Sequence, residues 1–490
     1  MRVAIVGAGY AGLSTARMLL RCGFQVTVFE QAPDVGGVWS RTRRYPGLRT
    51  QNDKRTYAFS ELPMPAHYPQ WPSGEQVQQY LESYAAGFGL SPALRLSTRV
   101  VSADLEDDRW TLTTQPAGRP EQSTFDHLVI ANGIFSRPAI PVYPGRGEFE
   151  AAGGKICAAQ DFADLDDARG RHVVVVGYGK SACDVAVAIS DVARSTAVVA
   201  RRLLWKMPRR LARVLNYKYL LLTRMGEGLF PYIRPTSFEK FLHARNSGST
   251  LFGPVQHLIV RQLGLQRLGL VPHGPFSDIA RSTVSLVTEG FFERVADGRL
   301  RVHRDAQITE LCAVEGRPSA RLATGHTIPA DLIVCGTGFD QQVPFLSPAL
   351  TAQIQDTRGN FVLYRHILPP DVPQLTFAGY NSSFFSPLGA EMAAAWIAAH
   401  LLGSLSLPTP SARRAQTIEQ LRWMETFSEG KHARGTSVIP FSMHNIHEVL
   451  QDLLLDVGPL TKARQWLLPV DPATYRKVGP ALLQRHGLLE

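Results

Sequence analysis

The chain has 490 residues, 44% of them apolar and 19% charged, and carries a net charge of +10. That length exceeds what one hydrophobic core supports and implies two or three domains, while the composition excludes a disordered or low-complexity chain. A positive balance suits anionic cofactors, an acidic partner or a membrane surface without choosing among them, and no apolar run reaches the ~20 residues of a membrane span.

The first element is an apolar strand, Val3-Ala4-Ile5-Val6, closed by the turn Gly7-Ala8-Gly9-Tyr10-Ala11-Gly12. A strand, a tight glycine turn and a helix opening beside it let backbone N–H groups hold a pyrophosphate with no Cβ in the way. This spacing is that of a phosphate turn, not of a signal peptide. It predicts a helix over 13–20 and a second strand over 26–29 that ends at Glu30. An acid there accepts hydrogen bonds from the ribose of an adenosine without a 2′-phosphate, as in FAD or NAD. A loop over 36–72, rich in Gly, Pro, Arg and aromatic residues, is long enough to be functional. A helix over 74–84 puts Val77, Tyr80, Leu81 and Tyr84 on one face, and β-like runs follow at 96–105 and 109–114. The strand Leu128-Val129-Ile130-Ala131 returns to the sheet and ends at Asn132-Gly133.

A connector rich in Pro and Gly, 136–154, leads to a second strand and turn, Val173-Val174-Val175-Val176-Gly177-Tyr178-Gly179-Lys180-Ser181-Ala182. Its second strand, 197–200, ends in Arg201-Arg202 instead of an acid. Two guanidiniums there suit the 2′-phosphate of NADPH. They begin a run of eight basic residues (Arg201, Arg202, Lys206, Arg209, Arg210, Arg213, Lys218, Arg224) with no acid before Glu227. The last six read as a solvated face or a docking surface for anionic lipid. Interleaved Trp205, Tyr217 and Tyr219 make an interfacial helix, and so peripheral membrane contact through 201–224, an expectation.

No strand alternation is visible over 203–281, which predicts a mainly helical insertion extending to 290. The chain leaves it through 328–339 and re-enters the first domain at a last strand over 375–380 and a helix over 390–402. The fold class is therefore α/β, with two Rossmann-like dinucleotide-binding domains and the NADPH domain inserted in the first, FAD- or NAD-binding domain. The expected boundaries are 1–165, 166–335 and 336–490. Five cysteines (Cys22, Cys157, Cys183, Cys312, Cys335) stand singly. That argues against a disulfide scaffold, a zinc site or the dithiol of a flavin-dependent disulfide reductase, and predicts a cytoplasmic protein with no metal.

The motifs in this order resemble the flavin-containing monooxygenases and, more broadly, the class B flavoprotein monooxygenases that include Baeyer–Villiger enzymes. The series is Gly7-x-Gly9-x-x-Gly12, Gly36-Gly37-Val38-Trp39, Tyr45-Pro46-Gly47-Leu48-Arg49-Thr50, Phe59-Ser60-Glu61-Leu62-Pro63, Gly177-x-Gly179-x-Ser181-Ala182-x-Asp184, Gly336-Thr337-Gly338-Phe339-Asp340 and Phe377-Ala378-Gly379-Tyr380. The resemblance implies FAD reduced by NADPH, a flavin C4a-(hydro)peroxide sheltered from water, and insertion of one oxygen atom of O2 into a lipophilic small molecule at N, S or beside a carbonyl. It implies contact with the cofactors from Ala11, Glu30, Gln31, Gly37, Val38, Trp39, Val100, Ala131, Asn132, Gly133, Lys180, Ser181, Asp184, Thr337 and Gly338 besides the turn glycines and Arg201-Arg202. The Gly37 backbone is expected to approach the flavin and Trp39 to cover it. No nucleic-acid partner is expected.

Two departures from the family stand out. Its linker histidine is replaced by Ala158 in Gly154-Lys155-Ile156-Cys157-Ala158. The flavin-edge Asn or Asp is replaced by Gln51, followed by Asn52, and either could take the catalytic role. These departures leave open a flavin oxidase or single-component halogenase on the same scaffold, or a non-enzymatic flavoprotein.

Overall fold

The computed structural model describes residues 1–116, 118–244, 247–281, 285–381, 383–428 and 441–488. Two parallel five-stranded sheets organise it. In the first, the strand order is Leu375–Phe377, His127–Ile130, Arg2–Val6, Gln25–Phe29, Leu94–Arg95. In the second it is Leu300–Arg304, Ser195–Ala200, His172–Val176, Leu332–Cys335, Lys155–Ala158. The central strands are buried on both faces, and accordingly read as unbroken apolar runs: Val3, Ala4 and Ile5, like Val174 and Val175, are fully buried. The α/β class with two nucleotide-binding sheets is thus as expected.

Each sheet is followed by an antiparallel three-stranded sheet. The first joins Arg99–Glu106, Arg109–Gln115 and Glu121–Phe125; the second joins Ile308–Val314, Arg317–Leu322 and Thr327–Pro329. The second of these was not anticipated. The strand Lys155–Ala158, assigned to the first domain by the expected boundary at 165, pairs in register with Leu332–Cys335 of the second sheet. The second domain therefore begins before the linker position Ala158. Where the chain enters and leaves it, Arg137–Pro138 pairs antiparallel with Phe339–Asp340.

The first turn's helix runs Tyr10–Arg21 and packs on the helix Ser386–Leu401. The latter begins four residues before the expected 390, with Pro387 at a position whose missing N–H costs nothing. Gly379, just after the strand Leu375–Phe377, lets the first helix approach that strand end, because a Cβ on it would lie 2.8 Å from Ala11 Cβ. The long loop is held by local bonds: Lys54 Nζ donates to the carbonyls of Pro65, Ala66 and Tyr68 at 3.2, 2.7 and 2.6 Å. The helix over Gly74–Gly87 starts with a capping box from Ser73 and Gln76.

The insertion departs from its expected helical character at its start. Lys206–Met207 pairs with Ser285–Leu286, and Arg210–Leu211 forms a hairpin with Leu215–Asn216. Helices follow at Arg224–Gly228, Ser237–Ala244, Ser247–Gln262 and Leu265–Leu268. Residues 245–246 and 282–284 of the expected insertion lie outside the described residues.

Candidate functional site

In the first turn, Gly7 has φ +113°, and a Cβ there would lie 2.3 Å from the Ala131 carbonyl oxygen; one on Gly12 would lie 1.8 Å from the Gly7 oxygen. Only glycine fits either position. The Glu30 carboxylate lies beside this turn and is buried, accepting the Ala8 N–H and the Ala32 N–H, both at 2.8 Å. Each oxygen keeps a lone pair for a ribose hydroxyl. Burial pushes this carboxyl above its ordinary range, against the pull of those two N–H groups and of Arg43. Gln31 is exposed next to it. Arg43 had gone unnoticed in the sequence; its guanidinium donates to the Phe135 carbonyl at 2.7 Å and to Gln160 Oε1 at 3.1 Å, joining the loop to the linker.

Gly36-Gly37 folds back on the turn itself. The Gly36 N–H donates to the Ala8 carbonyl at 3.0 Å, and a Cβ on Gly37 would stand 3.2 Å from Gly9 Cα. The close approach that requires Gly37 is therefore to Gly9. Val38 is partly exposed. Trp39 is buried edge-on against Tyr57 with centroids 5.8 Å apart. Val100 is buried on the strand beside Glu30 and contributes to the core with Phe29. Ala131 closes over Gly7. Asn132 donates to the Gln342 carbonyl and accepts from the Tyr380 hydroxyl, both at 2.8 Å, and Gly133 follows with φ +79°.

The second turn repeats the backbone and differs in its surroundings. Gly177 has φ +116° and sits against the Gly336 carbonyl, 2.4 Å from where its Cβ would be, while nothing lies within 4 Å of a Cβ on Gly179. The backbone there faces open space, a cradle for a phosphate. Arg201 and Arg202 are exposed at the end of the strand Ser195–Ala200, with no hydrogen bond or ion pair among the described residues. Two unpaired guanidiniums at that strand end fit a 2′-phosphate, as the acid at Glu30 fits an unphosphorylated ribose.

The Lys180 ammonium pairs with Asp184 and reaches Thr288 Oγ1 at 3.5 Å. Burial pushes the lysine below its ordinary range, opposed by Asp184. Asp184 is buried inside the helix and also accepts from Thr288 at 2.6 Å, and Ser181 accepts from the Tyr45 hydroxyl at 3.1 Å. Both residues thus serve a network that reaches the first domain. Thr337 donates to the Ala139 carbonyl at 2.6 Å, and Gly338 follows with φ +94° and open space around it.

The segment Gln51–Asp53 lies between the two halves. Gln51 Oε1 accepts from the Leu286 N–H at 3.1 Å, so its side chain faces the second domain. Asn52 is buried and donates through its amide to the Phe384 carbonyl, just before the helix Ser386–Leu401. Asp53 accepts from Arg55 N–H, Gln70 and Lys218 at 2.9, 2.6 and 3.0 Å. Burial alone would raise this carboxyl; these donors outweigh it and hold the group below the ordinary carboxylate range.

The basic run is not one face. Lys206 is buried, with Nζ on the Tyr178 carbonyl at 2.8 Å and Ser285 Oγ at 3.2 Å. Arg209 pairs with Glu289 at 2.8 Å and stacks over Trp71, Lys218 pairs with Asp53, and Arg224 donates to Gln465 at 2.9 Å. Trp205 and Tyr217 are buried. The helix in this stretch is a single turn, Lys218–Leu221, and four of the eight cations, Lys206, Arg209, Lys218 and Arg224, are engaged within the molecule, while Arg201, Arg202, Arg210 and Arg213 are exposed. Among the described residues no helix is long and apolar enough to cross a membrane.

A model of the family described as flavin-binding monooxygenase-like matches residues 1–270. Dimethylaniline monooxygenase (N-oxide-forming) 2 of Oryctolagus cuniculus is 25% identical over 523 residues, 98% of this chain and 89% of the relative. S-allyl-L-cysteine S-oxygenase from Allium sativum superposes with a TM-score of 0.64 at 20% identity, over 99% of this chain and 93% of that one. Cyclohexanone monooxygenase from Rhodococcus sp. Phi1 bound to NADP+ superposes with a TM-score of 0.69 at 17% identity, over 92% and 97%. At such identities the two structures share the fold. The family match covers more than half of the chain and contains both glycine turns, so the chain belongs to the flavin-binding monooxygenase-like family and is an oxidoreductase.

Proposed function

We propose that the chain is an FAD-dependent monooxygenase reduced by NADPH, which transfers one oxygen atom of O2 to a lipophilic small molecule at nitrogen, at sulfur or beside a carbonyl. The observation that carries this reading is the unlike pair of strand ends: a buried Glu30 at one turn, and the exposed Arg201 and Arg202, without a partner among the described residues, at the other. Bound FAD supplies the redox chemistry, and the overall balance is substrate, O2, NADPH and H+ to oxygenated substrate, NADP+ and water.

The residues of the chain bind and orient. Backbone N–H groups of the two turns face the pyrophosphates. Gln51 has its amide oxygen engaged by Leu286, which leaves the amide N–H2 to donate; Asn52 has its N–H2 engaged by Phe384, which leaves its oxygen to accept. These two amides take the catalytic positions between the domains. Phe384 and Phe385 precede the helix Ser386–Leu401 and supply apolar wall; residue 382 of that loop lies outside the described residues. Nitrogen, sulfur and ketone substrates are supported by the names of the relatives, one N-oxide-forming, one an S-oxygenase and one a cyclohexanone monooxygenase.

The test is anaerobic reduction of the flavin-loaded protein by NADPH and by NADH, then turnover under labelled O2 with a tertiary amine, a thioether and a cyclic ketone. The expected outcome is faster reduction by NADPH and one labelled oxygen in product. A protein that binds no FAD, or that NADPH does not reduce, overturns the reading. The buried Ala158 at the linker position favours a second reading, an oxidase or halogenase. Stoichiometric H2O2 with substrate dehydrogenation, or halogenated product, identifies it.

A cytoplasmic location is part of the proposal, supported by five unpaired cysteines. Peripheral membrane contact through 201–224 would use the hairpin tip, where Arg213 and Val214 are exposed; co-sedimentation with anionic vesicles tests it.

A further inference from the structure

Gln51, Asn52 and Asp53 are each held by a different part of the molecule. Gln51 is held by the second domain through the Leu286 N–H at 3.1 Å, and Asn52 by the segment before the helix Ser386–Leu401. The third hold comes from the insertion, through two consecutive residues. The Tyr217 hydroxyl donates to the Gln51 main-chain carbonyl at 2.5 Å, and Lys218 Nζ contacts Asp53 Oδ2 at 3.0 Å.

These contacts are built features of the fold. Tyr217 is fully buried, and the Asp53 side chain is 4% exposed and that of Lys218 17%. Asn216 ends the hairpin and accepts the Lys218 N–H through Oδ1 at 3.1 Å, which fixes the direction in which the lysine leaves the backbone. Gln70 shares Oδ2 of Asp53 with Lys218, and the Arg55 N–H holds Oδ1. At the linker, Ala158 is buried and brings no side-chain donor, and the polar tie there, Arg43 to Gln160 Oε1 at 3.1 Å, does not involve the Gln51–Asp53 segment.

We propose that Tyr217 and Lys218 are positioning residues. They clamp the Gln51–Asp53 segment to the insertion, so that the NADPH domain and the flavin edge stay in register during oxygen transfer. The inference rests on the function proposed above. Register matters because the two fates of the reducing equivalents differ only in geometry. Aligned groups give oxygenated substrate and water, whereas a loosened site lets NADPH, O2 and H+ yield NADP+ and H2O2 with no substrate oxidised. The clamp touches neither turn, and the contact of Gln51 with Leu286 stays when it is released, so its release costs reduction by NADPH less than it diverts the product.

The test compares Lys218→Met, Lys218→Arg and Tyr217→Phe with the wild type as full-length, FAD-loaded protein. Three quantities are read: the rate of anaerobic flavin reduction by NADPH, the fraction of NADPH oxidised that appears as H2O2 in the presence of a thioether, and hydrogen exchange of residues 49–57. Lys218→Met is expected to raise the H2O2 fraction several-fold and speed exchange of 49–57, with reduction changed by less than about twofold. Lys218→Arg restores both readings, since a guanidinium reaches the same carboxylate. Tyr217→Phe keeps the ring packing and the Lys218–Asp53 pair while losing the hydroxyl's hold on Gln51, so it gives a smaller change of the same sign even if Lys218→Met folds poorly.

Faster exchange with an unchanged H2O2 fraction would make the clamp a purely structural contact and overturn the inference alone. A wild type that NADPH does not reduce would overturn the proposed function, and the inference with it.

Discussion

The two glycine turns share a backbone and differ in what stands over them. At the first, Gly36-Gly37 closes on Gly9, and Glu30 is sealed by two backbone N–H groups. At the second, Gly179 faces open space, and Arg201 and Arg202 stand free in solvent. The difference teaches how one motif serves two kinds of ligand. A turn enclosed by its own chain suits a cofactor that stays through many turnovers, and an open one suits a cofactor that exchanges.

The largest expected effect breaks the closed side. Gly12→Ala drives a methyl into the Gly7 carbonyl, 1.8 Å from the built Cβ, and should cost several kcal/mol; thermal unfolding and FAD content should both collapse. Gly179→Ala is its counterpart on the open side, where φ is −71° and nothing crowds the Cβ. Stability without ligand should shift by less than about 1 kcal/mol, with the loss confined to the KM for NADPH.

Replacing both Arg201 and Arg202 by Ala should raise the KM for NADPH by about 10- to 100-fold and leave NADH nearly unaffected. Equal losses with both nucleotides would mean that these guanidiniums do not read the 2′-phosphate.

The smallest effect concerns how the insertion after Arg202 is anchored. His444 lies between buried Glu227 and Glu239, with ring nitrogens at 3.2 and 2.8 Å from their oxygens. Burial alone would lower its pKa, but the two carboxylates lift it to about 9 from 6.5. Because the folded value lies above the unfolded one, this stabilisation is fully present below pH 6.5 and is lost as pH rises through about 9. The melting temperature of His444→Gln should therefore depend less on pH across that window than that of the wild type.

Glycine spacing reports backbone geometry directly, so both turns, both adjoining strands and the contrast of Glu30 with Arg201-Arg202 were legible in the sequence. Side-chain direction was not. Nothing local marks Lys206 as buried and Arg210 as exposed, because the distinction depends on the Tyr178 carbonyl and Ser285 from elsewhere in the chain. The Lys180 ammonium is a second case: it pairs with Asp184 one helical turn on and reaches Thr288 from far along the chain. The sheet over 308–329 escaped because its strands lack strong alternation. The partners of Gln51 and Asn52, the Leu286 N–H and the Phe384 carbonyl, lie far along the chain and have no local mark either.

The interrupted first sheet has a consequence for how the protein is made. Its edge strand Leu375–Phe377 and the helix Ser386–Leu401 come from the far side of the second domain, whose own sheet is complete at Cys335. On the ribosome the inserted domain can finish folding while the outer one still lacks the strand that flanks His127–Ile130 and the helix that covers Tyr10–Arg21. The nascent N-terminal half must then wait as an open-edged intermediate, exposed to mispairing until the C-terminal segment is synthesised.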